Sequence, residues 1–187
     1  MKREYKKSRT LQLLTGLLLL STLSPAVAGD YSRYVDARGN ISLPQNFRTE
    51  MAHLGSWFVP DGEASGFHDV YTQPSAVAAY SNTGQFPDSA VLVKELRAAE
   101  MNDHTTGKNV SNATSVVKQW FVMIKDTQGR FKDNPSWGDG WGWALFKPDA
   151  PQVSVTKDYQ TDCLGCHVPA RKTDWIYVQA YPTLRRN

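Results

Sequence analysis

Apolar and polar positions along this chain fall into short stretches that have the character of β-strands. Several of these stretches are rich in Val, Ile, Trp, Phe and Tyr, the residues that suit a pleated, half-buried surface. The predicted strands are Met51–Val59, Phe67–Thr72, Ala90–Arg97, Val116–Lys125, Gly142–Phe146 and Trp175–Tyr181. Glycine, proline and Asx residues punctuate the segments between them, which favours frequent reversals of the chain.

The remaining segments predict few helices. Pro74–Ser81 begins with proline, contains alanines and is followed by Gly84, which predicts a short helix. Lys125–Arg130 reads as a turn that reverses a hairpin, and the polar stretch Glu100–Asn112 as a loop. The fold class expected is α+β, a mainly antiparallel β-sheet with a few short helices, in a single domain.

The first thirty residues have the layout of a secretory signal peptide. Five basic residues precede the apolar run Leu11–Leu23, and small residues follow up to Ala28. The apolar run is too short and too interrupted to span a bilayer comfortably. We expect residues 1–28 to be cleaved after Ala28, which leaves residues 29–187 as one exported, periplasmic domain.

The net charge changes when this leader is set aside. The whole chain holds 21 Lys+Arg and 18 Asp+Glu, and the leader carries five basic residues and one acidic residue, so 16 basic residues face 17 acidic ones in the rest. The domain is therefore near neutral, with no basic footprint for nucleic acid and no second segment that predicts a membrane span.

The residues that carry chemistry are Cys163-Leu164-Gly165-Cys166-His167. Two cysteines three positions apart on a helical turn can reach the two vinyl groups of one haem edge, and the histidine that follows lies under the iron. The pattern predicts one covalent haem c, attached at Cys163 and Cys166, with His167 as the proximal ligand. A thioredoxin-like disulfide needs no adjacent histidine, and a structural zinc site wants four ligands, whereas the chain has two cysteines.

Lys94 is the unusual residue of the third predicted strand. Period-2 alternation places it between Leu92 and Leu96 on one face, while Val91, Val93, Glu95 and Arg97 fall on the other. A lysine between two leucines either extends its amine past a sheet edge to water or is held inside for a purpose. The alternation alone leaves both possibilities open.

Beyond these features the chain resembles the cytochrome P-460 family from about Leu43 to Leu184. The stretches that carry the resemblance follow the family's order along the chain. They are Gly84–Asp88, Val91–Leu96, Lys125–Phe131, Trp141–Trp143, the haem motif, Lys172–Trp175 and Tyr181–Leu184.

The resemblance implies a chemistry. Family members that oxidise hydroxylamine to nitrous oxide or nitric oxide carry a lysine bonded to a meso carbon of a five-coordinate haem, and Lys94 falls on that lysine. Electrons would leave to a soluble acceptor such as another cytochrome c, and the protein would be a homodimer. A carboxylate on the distal side corresponds to Asp158, with Asp162 as the fallback, and His68 stands where the family has an arginine.

A second interpretation is a binding protein for nitric oxide or a similar gas. The related β-sheet cytochromes c′ lack the lysine bond and do not turn over hydroxylamine; the apolar cap that they carry could be formed here by Phe58, Phe67, Phe86 and Phe121. A plain electron carrier is disfavoured, because such proteins usually fill both axial positions and no methionine is well placed to do so.

Overall fold

The computed structural model describes Met1 and residues 31–184. The elements in chain order are helix α1 (Phe47–Glu50), strands β1 (Ala52–Val59) and β2 (Gly66–Thr72), helix α2 (Pro74–Thr83), and strands β3 (Val91–His104), β4 (Gly107–Lys125), β5 (Trp137–Gly138) and β6 (Trp141–Phe146). A C-terminal helical segment follows, with a π-helical turn Gln160–Leu164, helix α3 (Gly165–His167) and 3-10 turns at Val168–Thr173, Val178–Ala180 and Pro182–Leu184. Apart from Met1, the predicted signal peptide lies outside the described residues.

One six-stranded sheet organises the molecule, in the order β1-β2-β3-β4-β6-β5. Every pair of neighbouring strands is antiparallel. The predicted fold class, a mainly antiparallel sheet with a few short helices, is confirmed. The predicted helix is confirmed as α2, with proline in its first turn and Gly84 at its C-terminus in the left-handed region at φ 78°.

The segment Glu100–Asn112 was expected to be a loop, and this prediction is wrong. Strands β3 and β4 continue as a two-stranded ribbon, in which Glu100 pairs with Asn112 and Asn102 with Val110. Its side chains are exposed or half-buried on both faces, because no other element covers the ribbon. Without a buried face the sequence needs no apolar alternation, so the strands gave no period-2 signal.

The strand predicted at Trp175–Tyr181 is also wrong. This segment forms turns. Its first residue, Trp175, lies in the left-handed region at φ 68°, as does the preceding residue Asp174 at φ 57°. Trp175 and the adjacent Ile176 are both buried, which strand alternation on a single core does not allow. Aromatic content alone led to the wrong assignment. The turn predicted at Lys125–Arg130 does form, but β4 pairs with β6 rather than with a strand directly after that turn.

The sheet buries a separate core on each face. The first core contains Leu92 and its neighbours on the Lys94 side, together with the C-terminal helical segment. The second contains Val91 and Val93 and is closed by the chain that precedes β1. Among residues 31–184, no helix is long and apolar enough to cross a membrane. We call the two sides the Lys94 face and the Glu95 face.

Candidate haem site

The C-terminal helical segment brings the haem motif onto the Lys94 face. Cys163 and Leu164 pack against the core on that side, beside residues of the sheet and of the turns that follow. The entry to the motif is fixed by the backbone N–H of Tyr159, which donates to the Pro135 carbonyl at 2.9 Å. The motif therefore has a defined position on the face that also carries Lys94.

Neither cysteine of the motif takes part in a disulfide. Cys163 is half-buried and Cys166 is exposed, so the motif runs from the core to the surface. Burial raises the pKa of the Cys163 thiol to about 11, against a hydrogen bond with Thr156 that lowers it. Cys163 is thus a neutral thiol near pH 7, set in an apolar environment that suits the edge of a macrocycle.

His167 is oriented by a single hydrogen bond. Its Nδ1 lies 2.7 Å from the carbonyl oxygen of Trp175. Since a carbonyl can only accept, Nδ1 carries the proton, and Nε2 presents a lone pair, as is usual for a metal-ligating histidine. Burial, and to a smaller extent the charge of Lys94, lower the pKa of His167, which favours the neutral form that binds iron.

Trp143 packs beside His167 and was not predicted as a site residue. The two rings lie 4.9 Å apart, edge to face at 76°, and the ring of Trp143 stacks on Tyr159 at 6.0 Å. Its indole N–H donates to the Gly138 carbonyl at 3.2 Å, so its orientation is fixed. The alternation Trp141–Trp143 in β6 was the available signal, since it places both indoles on one face.

Two further contacts near His167 were also missed. The Tyr177 hydroxyl donates to the Cys166 carbonyl at 2.5 Å and ties the motif to the following turns. The second is the contact between His167 and the Trp175 carbonyl, which could not be predicted because every residue has a backbone carbonyl.

Lys94 lies on the same face of β3 as Leu92, as the alternation predicted, and that face also carries the haem motif. It pairs across the sheet with Val70 on β2 and Phe121 on β4, and its Nζ lies 3.8 Å from the centre of the Phe121 ring. Burial lowers the pKa of Lys94 to about 8, while the nearby Cys166 and Cys163 act to raise it. Within residues 31–184 no carboxylate pairs with this amine.

The two candidate carboxylates lie in the turn that leads into the motif. Asp158 is half-buried, and its Oδ1 accepts the backbone N–H of Gln160 at 2.8 Å. Asp162 is exposed and accepts backbone N–H groups from Lys157 at 2.8 Å and Asp158 at 3.3 Å. These hydrogen bonds lower the pKa of Asp162 and make it a weak base. Both carboxylates therefore stabilise the local turn through hydrogen bonds with its backbone.

His68 lies on the same face of the sheet as Lys94, since it pairs with Leu96 in the register of β2 and β3. Its Nε2 lies 2.7 Å from the Ala64 carbonyl, so Nε2 carries the proton and Nδ1 is an acceptor. Burial and the charges of Lys94 and Lys118 lower the pKa of His68. The imidazole is therefore neutral near pH 7.

Of the four phenylalanines considered as an apolar cap, the structure brings only two to this face. Phe121 contacts Lys94, and Phe86 lies in the core of the Lys94 face against Tyr80 at 4.6 Å. Phe58 and Phe67 pack together at 4.9 Å on the Glu95 face, because Phe67 pairs with Arg97 in the sheet register. The prediction that these two residues contribute to the cap was wrong, because the alternation of side chains along β1 and β2 places both on the face opposite Lys94.

The donor set fits a haem c. Two thiols and a neutral imidazole with a free Nε2 lie on one helical turn, against an aromatic and aliphatic face. Among the described residues, no group of three or more His, Cys, Asp or Glu side chains is arranged to hold a bare metal ion. The residues present therefore suit a macrocycle held by Cys163, Cys166 and His167.

The comparison with known families agrees with this geometry. The sequence model of one family, described as Cytochrome P460, matches residues 44–178. That span includes Lys94, the whole haem motif and the Trp175 carbonyl that orients His167. None of the curated proteins compared with the chain matches it.

Proposed function

This chain belongs to the cytochrome P460 family and is a haem protein of that type, and from this premise we propose that it is an exported, periplasmic enzyme that oxidises hydroxylamine. The products we propose are nitrous oxide or nitric oxide. One haem c would be held covalently by Cys163 and Cys166, with His167 as proximal ligand and Lys94 bonded to the macrocycle.

The observation that carries the proposal is the state of Lys94. Lys94 is half-buried, with its amine beside the Phe121 ring. An ammonium that is partly removed from water without a carboxylate partner is costly, so proteins tend to keep such a group neutral or use it in chemistry. The pKa of Lys94, lowered to about 8 by burial, leaves about a tenth of the amine unprotonated at pH 7, far more than for an ordinary lysine. A neutral amine is the nucleophilic form. Bonding to a meso carbon would replace the C–H bond there with loss of two protons and two electrons, so the attachment would also require an external two-electron oxidant.

Each residue has a separate task in the proposed reaction. When bound, haem supplies an iron centre that binds hydroxylamine and takes up its electrons. Cys163 and Cys166 hold the macrocycle, and the Trp175 carbonyl keeps His167 in the tautomer that presents Nε2. Lys94 fixes the macrocycle to the middle of the sheet.

Oxidation of hydroxylamine releases protons, and we propose His68 as their first acceptor. It lies on the Lys94 face, is neutral near pH 7 and has Nδ1 free to take a proton while Nε2 is held by Ala64. A base of this kind works above its pKa, so turnover should fall as the pH drops through the pKa of His68, which burial lowers from the ordinary histidine value. Asp158 is the second candidate, because its side chain is half-buried whereas that of Asp162 is exposed.

Electrons would then pass to a soluble acceptor, and another cytochrome c is the partner class that we propose. The exposed position of Cys166 supports this step, because one edge of the site reaches the protein surface there. A homodimer completes the proposal as the expected assembly.

A second candidate function is the binding of nitric oxide without turnover. The apolar Phe121 beside Lys94 and a histidine in place of the family's arginine favour it. The two functions differ in whether Lys94 is bonded to the haem and in whether hydroxylamine is consumed.

Peptide mapping by mass spectrometry tests the proposal directly, on protein matured in a periplasm that attaches haem c. We expect the peptide that contains Lys94 to travel with the haem and with the Cys163–Cys166 peptide as one covalent unit. Lys125, a largely buried lysine that is ion-paired with Asp174, is the matched control and should be cleaved normally. Cleavage after Lys94 as at an ordinary lysine would exclude the cross-link and leave the gas-binding function.

Two further measurements separate the alternatives. A high-spin spectrum of the resting protein indicates an open axial position, which a plain electron carrier lacks. Hydroxylamine consumption with a dye acceptor, and its loss in His68→Asn or Asp158→Asn, would then identify the proton acceptor. A cross-linked, high-spin protein that consumes no hydroxylamine would contradict the enzymatic proposal.

A further inference from the structure

Three stretches that are distant in sequence converge on the carboxylate of Asp174. Its Oδ1 accepts from Lys125 Nζ at 2.5 Å and from the indole N–H of Trp141 at 3.3 Å, and its Oδ2 accepts the backbone N–H of Phe86 at 3.2 Å. The donors come from β4, from β6 and from the loop that follows α2. One carboxylate therefore ties the C-terminal turns to the sheet at three points.

This contact is shielded from water. The side chain of Asp174 is 13% exposed and that of Lys125 is 12% exposed. Lys125 also lies 4.8 Å from the centre of the Trp141 ring, so its charge faces both an anion and an aromatic surface. A charge-assisted hydrogen bond in such surroundings is stronger than one at the surface, and its loss leaves an unpaired buried charge.

The backbone at this point adopts a conformation that needs external support. Asp174 and Trp175 both have positive φ, at 57° and 68°. An aspartate tolerates the left-handed region, but a bulky aromatic residue there is an outlier that persists only when its surroundings determine it. The three donors to Asp174, together with the bond from Trp175 N–H to the Ala170 carbonyl at 2.9 Å, supply that support.

The strained turn ends at the carbonyl that holds the proximal histidine. The Trp175 carbonyl accepts from His167 Nδ1 at 2.7 Å, and the side chain that anchors the turn belongs to the residue just before it. We propose that Asp174 is a positioning residue, which acts through the Trp175 carbonyl to set the orientation and basicity of His167. The inference rests on the proposed ligation of haem by His167.

The physical consequence concerns the iron–histidine bond. A firmly placed acceptor at Nδ1 draws the proton away from the ring and raises the basicity of Nε2. When the anchor is weakened, the turn can relax toward ordinary φ values and the carbonyl moves from its position. Nε2 then becomes a weaker donor to iron.

The test uses Asp174→Asn in the haem-loaded protein, because asparagine has the same shape and still accepts from Phe86 N–H. We expect the iron–histidine stretching band in the resonance Raman spectrum of the ferrous protein to shift to lower wavenumber. The reduction potential should become more positive. Turnover should fall by roughly 10-fold, as is common when a second-shell partner of a ligating histidine is lost.

Asp88→Asn is the matched control. Asp88 also pairs with a cation, Arg130, and accepts a backbone N–H, that of Thr127, but none of its contacts involves the Trp175 turn. It should affect stability and leave the stretching band in place. If Asp174→Asn does not fold, Lys125→Gln removes the cation from the other side and should shift the band in the same direction.

The outcomes are distinguishable. An unshifted band in a haem-loaded Asp174→Asn protein would overturn this inference alone, as would an equal shift in Asp88→Asn. A wild-type protein that carries no covalent haem would overturn both this inference and the proposed function. A haem-loaded wild type that does not oxidise hydroxylamine would contradict the proposed enzymatic function only. The Raman comparison would still test the role of Asp174.

Discussion

Lys94 and Glu95 are neighbours on β3, yet their side chains lie on opposite faces of the sheet in different surroundings. Lys94 faces the haem motif and contacts the ring of Phe121, with no carboxylate partner among the described residues. Glu95 is fully buried on the other side, where it accepts from Arg48 Nε at 3.0 Å and from the indole N–H of Trp120 at 2.9 Å.

The Glu95 face continues this pairing into a network. Asp69, the cross-strand neighbour of Glu95, accepts from the Ser56 hydroxyl at 2.5 Å and from Arg97 at 2.7 Å. Arg97 also approaches Glu95 at 3.7 Å, so the two buried carboxylates share a cation. Every charge in this cluster has a partner within the fold.

The comparison distinguishes charged residues that stabilise the fold from a charged residue that is placed for a reaction. Buried charges that are paired and hydrogen-bonded fix the geometry of a sheet, and removing one partner is costly. A buried charge without a counter-ion is itself costly, and such groups are found at reactive sites. The first pattern describes the Glu95 face. The Lys94 face approaches the second, because Lys94 is half-buried and has no carboxylate partner among the described residues.

The largest effect is expected from Lys94→Met. Methionine fills a similar volume on the apolar face, so the fold and the attachment of haem at the two cysteines should persist. Hydroxylamine turnover should fall to the background of the assay, measured with a dye acceptor. The control is Lys108→Met, since Lys108 is an exposed lysine of the β3–β4 ribbon, away from the haem motif and from His68. Full activity in Lys94→Met would break the comparison, because the unpaired lysine would then have no chemical role.

The next effect is on stability and concerns the other face. Glu95→Gln removes the charge that Arg48 and Arg97 share and should lower the free energy of unfolding by about 3 kcal/mol. Urea unfolding measures this value, and the haem spectrum should stay unchanged. Lys94→Met in the same assay should cost less than about 1 kcal/mol, since no ion pair is broken. Equal costs for the two substitutions would show that the faces do not differ as we describe.

The sequence was informative where burial follows a simple period. Alternation along β3 placed Lys94 with Leu92 and Leu96. It succeeded because the two sides of that strand face two different cores, so that Leu92 packs in one and Val91 and Val93 pack in the other. It failed in the ribbon beyond Ala99, where neither side is buried. It failed again at Trp175, where aromatic residues fill a core from a turn rather than from a strand.

The contacts that orient the site required the folded structure. The Asp174 carboxylate meets donors that lie 33, 49 and 88 positions away in the chain. The acceptor of His167 Nδ1 is a backbone carbonyl, which every residue possesses. Patterns within one segment carry no information about such long-range or backbone contacts, whereas the haem motif is local and could be identified from five residues.

A smaller effect should appear at acidic pH on the Glu95 face. Burial raises the pKa of Asp69, but hydrogen bonds from Ser56 and Arg97 outweigh it, and the net pKa is lowered. A carboxyl group of this kind stabilises the fold above its unfolded pKa of about 3.9, and the contribution is lost as the pH falls toward the lower folded value. When the pH is lowered from about 5 to about 3, the free energy of unfolding should therefore fall in both proteins. The fall should be smaller in Asp69→Asn than in the wild type, by on the order of 1 kcal/mol. Identical pH slopes would contradict the assignment of Asp69 to the paired network.

The smallest effect has the opposite sign and belongs to Lys94. In haem-free protein its pKa, lowered to about 8 by burial, lies below the value of about 10.4 for an unfolded lysine. Between these values the unfolded chain binds more protons than the folded one, so stability should rise with pH from about 8 to about 10. A shift of this size corresponds to at most about 3 kcal/mol. Because Lys94 is only half-buried, solvent screens the effect, and we expect a gain on the order of 1 kcal/mol relative to Lys94→Met, measured by urea unfolding at each pH. Cross-linked protein should lack this gain, because the nitrogen bonded to the haem no longer titrates as an alkylamine. A gain of equal size before and after haem attachment would mean that Lys94 remains a free amine, and the unpaired charge on this face would then be a cost that the haem does not relieve.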